Sequence, residues 1–273
     1  PAGSWLPSST QPPALIPIRA LLKQLPDAVL GATPEPAAAC TLAQTHLDKL
    51  WQQARWHGLA AGFDDGALNA LGTVLQHCPG QGSAPGPLPA LANHRWQHAE
   101  VPGSEHALLL FCPLPAAMEA AGRLLAQLLQ GPVYQRLRVE LQLGYAVFST
   151  FRQVEGVGGL LFGVQSPHAS QVQILDHLLT LLRQGVTLAP AARQALAGQF
   201  DEPAMGNAEV AEWAWQTFLA TQPGRLDALC RSILKTRQTD LDQLLNHLLD
   251  KDSTWLCLAN AVAPDTSWLG TNP

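Results

Sequence analysis

The sequence predicts an α+β fold in which an antiparallel sheet carries helices packed on one face. Three observations predict it. The apolar segments at 145–151 and 159–165 have the length and composition of a β-hairpin. Four helical patterns then follow one another from Ser170 to Lys235, and an apolar segment at Trp255–Val262 is typical of a closing strand. Strands, then a run of helices, then a last strand indicate helices laid over an antiparallel sheet.

The first 90 residues carry weaker patterns, beginning with about 35 residues rich in proline. The predicted elements here are a short helical stretch near Ile16–Lys23, a helix at Thr41–Gln53, a strand at Arg55–Ala61, and a helix through Ala67–Val74 capped by Asp64 or Asp65. A segment rich in Pro, Gly and Ser follows at Cys78–Leu91. We therefore predict two domains, with 1–90 ending a preceding domain and its linker, and 91–273 forming the final domain.

The second part of the chain is denser in apolar patterns. It is predicted to contain a strand at His106–Leu114, an apolar helix from Pro115, a second helix at Pro132–Leu141, the hairpin with its turn at Glu155–Gly158, helices at Ser170–Arg183, Ala189–Phe200, Ala208–Ala220 and Arg225–Lys235, and a fifth helix of this run from Thr239–Asp240. Gly144 is expected to end the second helix in the left-handed conformation.

The composition narrows the function classes. Only 14% of the residues are charged and 47% are hydrophobic, so we expect another domain or subunit to cover part of the surface. The 16 Lys and Arg are outnumbered by 21 Asp and Glu, which argues against nucleic-acid binding. No apolar run approaches the roughly 18 residues of a membrane span. Five cysteines without a CxxC pair favour reduced thiols and a cytoplasmic protein, with the periplasm as the alternative.

No motif of the zinc peptidases is present. His94 and His98 have the i, i+4 spacing of two zinc ligands on a helix, but they follow a proline-rich segment and no acidic residue lies between them. Glu105-His106 would end an inverted HxxEH motif, except that the first position is Pro102. We therefore expect ordinary surface histidines and no metal site in this chain. Cys112 and Cys257 lie in apolar strands and are interpreted as core thiols.

The segment 134–167 is more specific, reading YQRLRVELQLGYAVFSTFRQVEGVGGLLFGVQSP. It contains an aromatic residue, an arginine four positions later, a Gln-Leu-Gly-Tyr run, and two strands of which the second ends in Gln-Ser. The positions that carry the pattern are Tyr134, Arg138, Gln142, Leu143, Gly144, Tyr145, Gln165 and Ser166. This segment resembles the fourth domain of the inverted-zincin metallopeptidases, the pitrilysin and insulin-degrading enzyme family. Trp56-His57-Gly58 resembles, less specifically, the end of the third domain.

The resemblance implies the C-terminal lobe of a zinc metalloendopeptidase, with the HxxEH motif and the zinc in an N-terminal half of the same chain. This lobe would close the substrate chamber without catalysing the reaction itself, and its peptide substrate would be the precursor of a redox cofactor. In such enzymes the Arg and Tyr of the motif reach the substrate, so Arg138 and Tyr145 are the candidate residues for substrate and transition-state binding, supported by Tyr134, Gln142, Leu143 and Gly144. Alternatively, Arg138 caps helix carbonyls and Tyr145 packs in the sheet. The alternative function is an inactive peptidase-like scaffold subunit that pairs with a separate zinc-bearing chain.

Overall fold

The computed structural model describes residues 16–31, 44–60, 62–88, 90–91, 93–101, 103–221, 224–265 and 268–271. The helices within these residues are α1 (Pro17–Leu30), α2 (Gln44–Gln53), α3 (Asp65–Leu75), α4 (Glu119–Val133), α5 (Gln171–Gln184), α6 (Pro190–Ala197), α7 (Asn207–Leu219), α8 (Leu226–Lys235) and α9 (Gln238–Leu249). The strands are β1 (Arg55–Trp56), β2 (Gln81–Gly82), β3 (Arg95–His98), β4 (His106–Pro113), β5 (Val147–Val154), β6 (Val157–Ser166), β7 (Leu256–Ala259) and β8 (Leu269–Thr271).

A six-stranded sheet in the order β5-β6-β4-β7-β3-β8 organises the chain. Four of these strands, from β5 to β7, pair antiparallel, and the predicted fold class is confirmed. The sheet is nevertheless mixed rather than wholly antiparallel, because β3 runs parallel to both β7 and β8. The closing strand β7 is shorter than predicted, since Asn260 turns its side chain back to accept a hydrogen bond from the Ala107 N–H at 2.8 Å.

Helices cover both faces of this sheet, which corrects the prediction of one covered face. The larger core joins one face to α4, α5 and α9, with Leu108, Leu110 and Phe162 fully buried. The second core joins the other face to α1, through Ile18, Leu21, Leu25, Ala28 and Val29. Because β4 is buried on both faces, it reads as a continuous apolar run instead of an alternating one. The predicted boundary after residue 90 stays a prediction, but α1 lies before it and packs on the sheet that follows it.

The segment 119–140 forms one continuous helix, not the two predicted. Pro132 lies inside α4 without ending it. The residue before a proline is normally pushed out of the helical conformation by its Cβ, and Gly131 has none. From Tyr134 to Glu140 the helix widens into a π-helix, in which the Leu141 N–H donates to the Arg136 carbonyl at 3.0 Å.

The hairpin of β5 and β6 is confirmed. Its turn is narrower than predicted, with only Glu155 and Gly156 between the strands. Their φ angles are +50° and +80°, as the mirror-image turn that matches the twist of a hairpin requires. The hairpin register pairs Val154 with Val157 and Val147 with Val164, without a bulge.

The later helices begin within a residue or two of their predicted starts. Ser170 caps α5, accepting a hydrogen bond from the Gln173 N–H at 3.3 Å, while Gln173 Oε1 accepts one from the Ser170 N–H at 2.9 Å. The predicted helix at 189–200 divides into α6 and a short 3₁₀ turn at Gly198–Phe200. The fifth helix, α9, begins at Gln238.

The segment 44–91, which precedes β3 of the six-stranded sheet, has fewer buried side chains than the residues that follow it. The strand predicted at Arg55–Ala61 is wrong over residues 57–60, because its partner β2 is only two residues long, and Ala61 lies outside the described residues. Asp64 caps α3 as predicted, accepting a hydrogen bond from the Ala67 N–H at 2.8 Å. The predicted opening of α2 at Thr41 lies outside the described residues. This segment meets the rest of the molecule where the His57 ring stacks on Trp215, with ring centroids 5.6 Å apart.

Candidate functional site

Three side chains of the 134–145 segment form one cluster. The Arg138 guanidinium carbon lies 5.2 Å from the centre of the Tyr134 ring and 5.7 Å from the centre of the Tyr145 ring. Cation–π contacts of this kind hold a guanidinium in place while leaving its N–H groups free to donate. Tyr145 is 90% exposed, so it does not pack in the sheet. The structure therefore brings together the two residues predicted for substrate contact, with Tyr134 beside them.

The turn between the π-helix and β5 sets the position of Tyr145. Gln142, not Gly144 as predicted, takes the left-handed conformation, with φ +50°. Across it the Leu143 N–H donates to the Leu137 carbonyl at 2.9 Å, which satisfies one of the carbonyls left open at the helix end. Leu143 then enters the larger core and anchors the turn.

Gly144 is required for a different reason. A Cβ at this position would overlap the backbone carbonyl oxygen of Gln165 on the neighbouring strand. The close approach lets Ala146 begin the pairing with β6, accepting a hydrogen bond from the Gln165 N–H at 2.9 Å. Tyr145 is thus held between a buried leucine and the first pair of the hairpin, with its ring directed into solvent.

Arg138 and Tyr145 line a groove of about 910 Å³, which we call the first groove. Four segments of the chain meet there: the start of α1, residues 103–105, the turn at 142–146, and the end of β6. Gln165 joins three of them. Its Oε1 accepts a hydrogen bond from the Ile18 N–H at 3.0 Å, and its Nε2 donates to Glu105 Oε2 at 2.5 Å. The amide side chain therefore satisfies an open N–H at the start of α1 and fixes the groove floor.

The first groove carries more positive than negative groups. Arg19 and Arg138 line it, against the single carboxylate of Glu105 among its lining residues. Among the described residues neither Arg19 nor Arg138 forms an ion pair, whereas Arg136, two residues from Arg138, pairs with Glu140 at 2.7 Å. The groove thus offers guanidinium donors, a tyrosine hydroxyl and a fixed amide, which are the groups that bind peptide carbonyls and carboxylates.

The sequence did not predict that the start of α1 lines the first groove. The sequence predicted only a short helical stretch at Ile16–Lys23, and Arg19 was not assigned a place. A usable signal exists, because Pro17 stands at the helix start and apolar residues recur from Ile18 through Leu21 and Leu25 to Val29. That pattern predicts a helix with one buried face, but it does not say which surface the helix covers.

The described residues do not fit a zinc ion. They contain no group of three or more His, Cys, Asp or Glu side chains positioned to hold a metal. His98 lies at the end of β3, where residues four apart are separated by about 13 Å. The His94 ring is enclosed by aromatic rings, with its centroid 4.5 Å from that of Trp255 and 5.4 Å from that of Trp268.

Cys112 and Cys257 lie fully buried in the sheet. Burial raises the pKa of both thiols, which keeps them protonated and unreactive near neutral pH. None of the helices in the described ranges combines the length and the low charge that crossing a bilayer requires.

Comparison with solved structures identifies the fold. The fold matches a peptidase M16 inactive domain from Pseudomonas fluorescens with a TM-score of 0.65 at 18% identity, over 96% of this chain and 69% of that one. It matches pitrilysin with a TM-score of 0.54 at 18% identity, over 66% of this chain and 22% of that one. Residues 124–215, which include the π-helix and the hairpin, match the family described as PQQ synthase PqqF-like, C-terminal lobe domain 4. By this family model and by fold, the chain is similar to the C-terminal lobe of the pitrilysin-like, inverted-zincin peptidases.

Five relatives that are similar in sequence share one name. The chain is 78% identical over 272 residues to coenzyme PQQ synthesis protein F of Pseudomonas putida, covering 100% of this chain and 36% of that protein. It is 34% identical over 199 residues to the protein of the same name from Klebsiella pneumoniae, covering 69% of this chain and 26% of that protein. The chain thus spans about a third of the length of these relatives. The resemblance found in the sequence at 134–167 is confirmed.

Proposed function

We propose that this chain is the substrate-enclosing C-terminal lobe of a cytoplasmic zinc endopeptidase that processes the precursor peptide of pyrroloquinoline quinone. The observation that carries the proposal is the Tyr134–Arg138–Tyr145 cluster at the first groove. The names of the relatives support the pathway, and their greater length supports an N-terminal half in the same polypeptide. The zinc and its ligands belong to that half, since the described residues of this chain do not fit the metal.

Arg138 and Tyr145 bind the peptide through hydrogen bonds that they donate. The guanidinium is permanently charged, and the phenol can donate while it remains neutral. Hydrolysis of a peptide bond places negative charge on the carbonyl oxygen, and donors already in position bind that oxygen more strongly than the uncharged carbonyl. The rings of Tyr134 and Tyr145 hold Arg138 in one orientation, which reduces the entropy lost when it binds.

The experiment that tests this role compares arginine variants in the full-length enzyme with the synthetic precursor peptide. Arg138→Ala should lower kcat by about 10²-fold and change KM less, as expected for one lost donor to a developing oxyanion. Tyr145→Phe, which removes only the hydroxyl, should also lower kcat. Arg136→Ala is the matched control: this exposed arginine lies on the same π-helix, and its surface pair with Glu140 contributes little.

Two results would contradict different parts of the proposal. An unchanged kcat in Arg138→Ala and Tyr145→Phe would overturn the assigned roles. A full-length wild-type enzyme that binds the peptide without cleaving it would support the alternative predicted from sequence, an inactive peptidase-like binding subunit.

A further inference from the structure

Arg19 is an exposed cation in the first turn of α1, where it lines the first groove. The N-terminus of a helix carries partial positive charge, so a guanidinium there is unfavourable unless an anion lies near it. Lys23 follows one turn later and adds a like charge at the i, i+4 spacing, which also weakens a helix. Neither cation forms an ion pair within the described residues. The stability of α1 therefore does not explain an arginine at this position.

Neighbouring segments hold the start of α1 at the groove. The Ile18 N–H donates to Gln165 Oε1 at 3.0 Å, and the Arg19 N–H donates to the carbonyl that precedes Pro17, also at 3.0 Å. The Pro17 ring lies against Gly103, where a Cβ would come within 2.9 Å of it. The backbone of Arg19 is thus fixed, and the N–H groups of this turn are already satisfied. Only the exposed Arg19 side chain is left to bind a ligand in the groove.

The carboxylate that shares the groove has other partners. Glu105 Oε2 accepts a hydrogen bond from Gln165 Nε2 at 2.5 Å, and the Glu105 carbonyl accepts one from Asn260 Nδ2 at 2.8 Å. In the described part of the chain Glu105 pairs with neither Arg19 nor Arg138. The groove thus keeps two unpaired guanidinium groups, although the whole chain has 21 Asp and Glu against 16 Lys and Arg. A guanidinium binds a carboxylate through two parallel N–H donors, which makes a carboxylate the ligand that fits best.

We propose that Arg19 is a specificity-determining residue, which binds a carboxylate of the peptide substrate while Arg138 and Tyr145 bind the peptide at the bond that is cleaved. The inference rests on the proposed function and names the class of peptide that the first groove selects. The carboxylate belongs to a Glu or Asp side chain near the cleaved bond or to the C-terminus of the peptide. A peptide without a carboxylate at that place leaves Arg19 unpaired and binds more weakly.

The test uses the full-length enzyme and matched synthetic peptides. The precursor peptide is compared with versions in which each Glu or Asp is replaced in turn by Gln or Asn, and with a version amidated at its C-terminus. We expect one of these changes to lower kcat/KM of the wild-type enzyme about tenfold, and its position distinguishes a side-chain carboxylate from the C-terminal one. Arg19→Ala should cleave that peptide and the unmodified peptide equally well. Arg19→Lys, which keeps the charge but not the paired donors, should retain part of the preference.

Lys23→Ala is the matched control, because it removes one positive charge from the same helix at a residue outside the first groove. This variant should keep the wild-type preference. An equal loss of preference in Lys23→Ala and Arg19→Ala would overturn the inference, since general attraction of charge would then explain it. A wild-type enzyme that cleaves all the peptides equally well, or an Arg19→Ala variant that keeps the preference, would overturn it too. A loss of kcat in Arg138→Ala together with any of these results would leave the proposed function intact.

A binding measurement tests the inference independently of cleavage. In zinc-depleted full-length enzyme, where the peptide stays intact, calorimetric titration gives the Kd of the same peptides. The Kd of the unmodified precursor peptide should rise about tenfold in Arg19→Ala and stay near the wild-type value in Lys23→Ala. Equal Kd values in the wild-type enzyme and Arg19→Ala would overturn the inference. If the zinc-loaded enzyme binds the peptides with the expected pattern but does not cleave them, the inference is supported and the proposed function is contradicted.

Discussion

Gly144 has the most restricted environment among the residues of the first groove. Its position against the Gln165 carbonyl leaves no room for a side chain. Any larger residue must push the turn away from β6, which moves Tyr145 from Arg138 and disturbs the anchoring of Leu143 in the core.

Gly144→Ala should therefore lower the free energy of unfolding by about 1–3 kcal/mol and also weaken peptide cleavage. Gly72→Ala in α3 is the matched control, because a Cβ there meets nothing within 4 Å and alanine favours a helix. Urea unfolding measures the difference, and equal stability of the two variants would contradict the close approach.

At the residue scale, the sequence predicts which side chains meet but not how they are presented. The spacing of Arg138 and Tyr145 around a turn left two arrangements open, and the family resemblance at 134–167 favoured the one that places both at one site. The exposure of Tyr145 and the left-handed backbone of Gln142 were not predictable, because both follow the π-helix at Tyr134–Glu140, and no local sequence pattern predicts that widening. Gly144 was predicted to be necessary for its φ angle, whereas tertiary contact with Gln165 is the actual reason.

At the scale of elements, the hairpin and the later helices follow directly from local pattern and capping residues such as Ser170. The placement of α1 does not. The Ile18 N–H bonds to a side chain 147 residues later, and no local pattern specifies so distant a partner. The amphipathic spacing of α1 predicts a buried face, while only the folded sheet supplies the surface that buries it.

The packing of α1 can be measured by one substitution. Leu21 is fully buried, and Leu21→Ala should destabilise the protein by about 3 kcal/mol because it leaves a cavity between α1 and the sheet. Leu30→Ala is the control on the same helix: Leu30 is 52% exposed, and its loss should change stability by less than about 0.5 kcal/mol. If urea unfolding gives similar losses of stability for the two substitutions, α1 does not pack on the sheet through Leu21.

At the scale of the whole molecule, the proposed division between a zinc-bearing N-terminal half and this C-terminal lobe leads to a reconstitution experiment. This chain alone should contain no stoichiometric zinc and show no peptidase activity. When it is mixed with a separately produced zinc-bearing N-terminal half, turnover of the precursor peptide should return. Metal analysis of each half and a cleavage assay of the mixture check both statements. Zinc or activity in the isolated chain would contradict the proposed arrangement.

The position of β3 has a consequence for biosynthesis. Both of its neighbours, β7 and β8, come from far along the chain, and the Trp96 indole N–H donates to the carbonyl of a residue 165 positions later. At bacterial translation rates, β3 leaves the ribosome on the order of ten seconds before its partners exist. We expect Trp96, and the part of α1 that packs on Leu256 and Leu258 of β7, to stay uncovered during that interval. Chaperone binding to nascent chains that have not yet reached residue 271 would be the expected consequence.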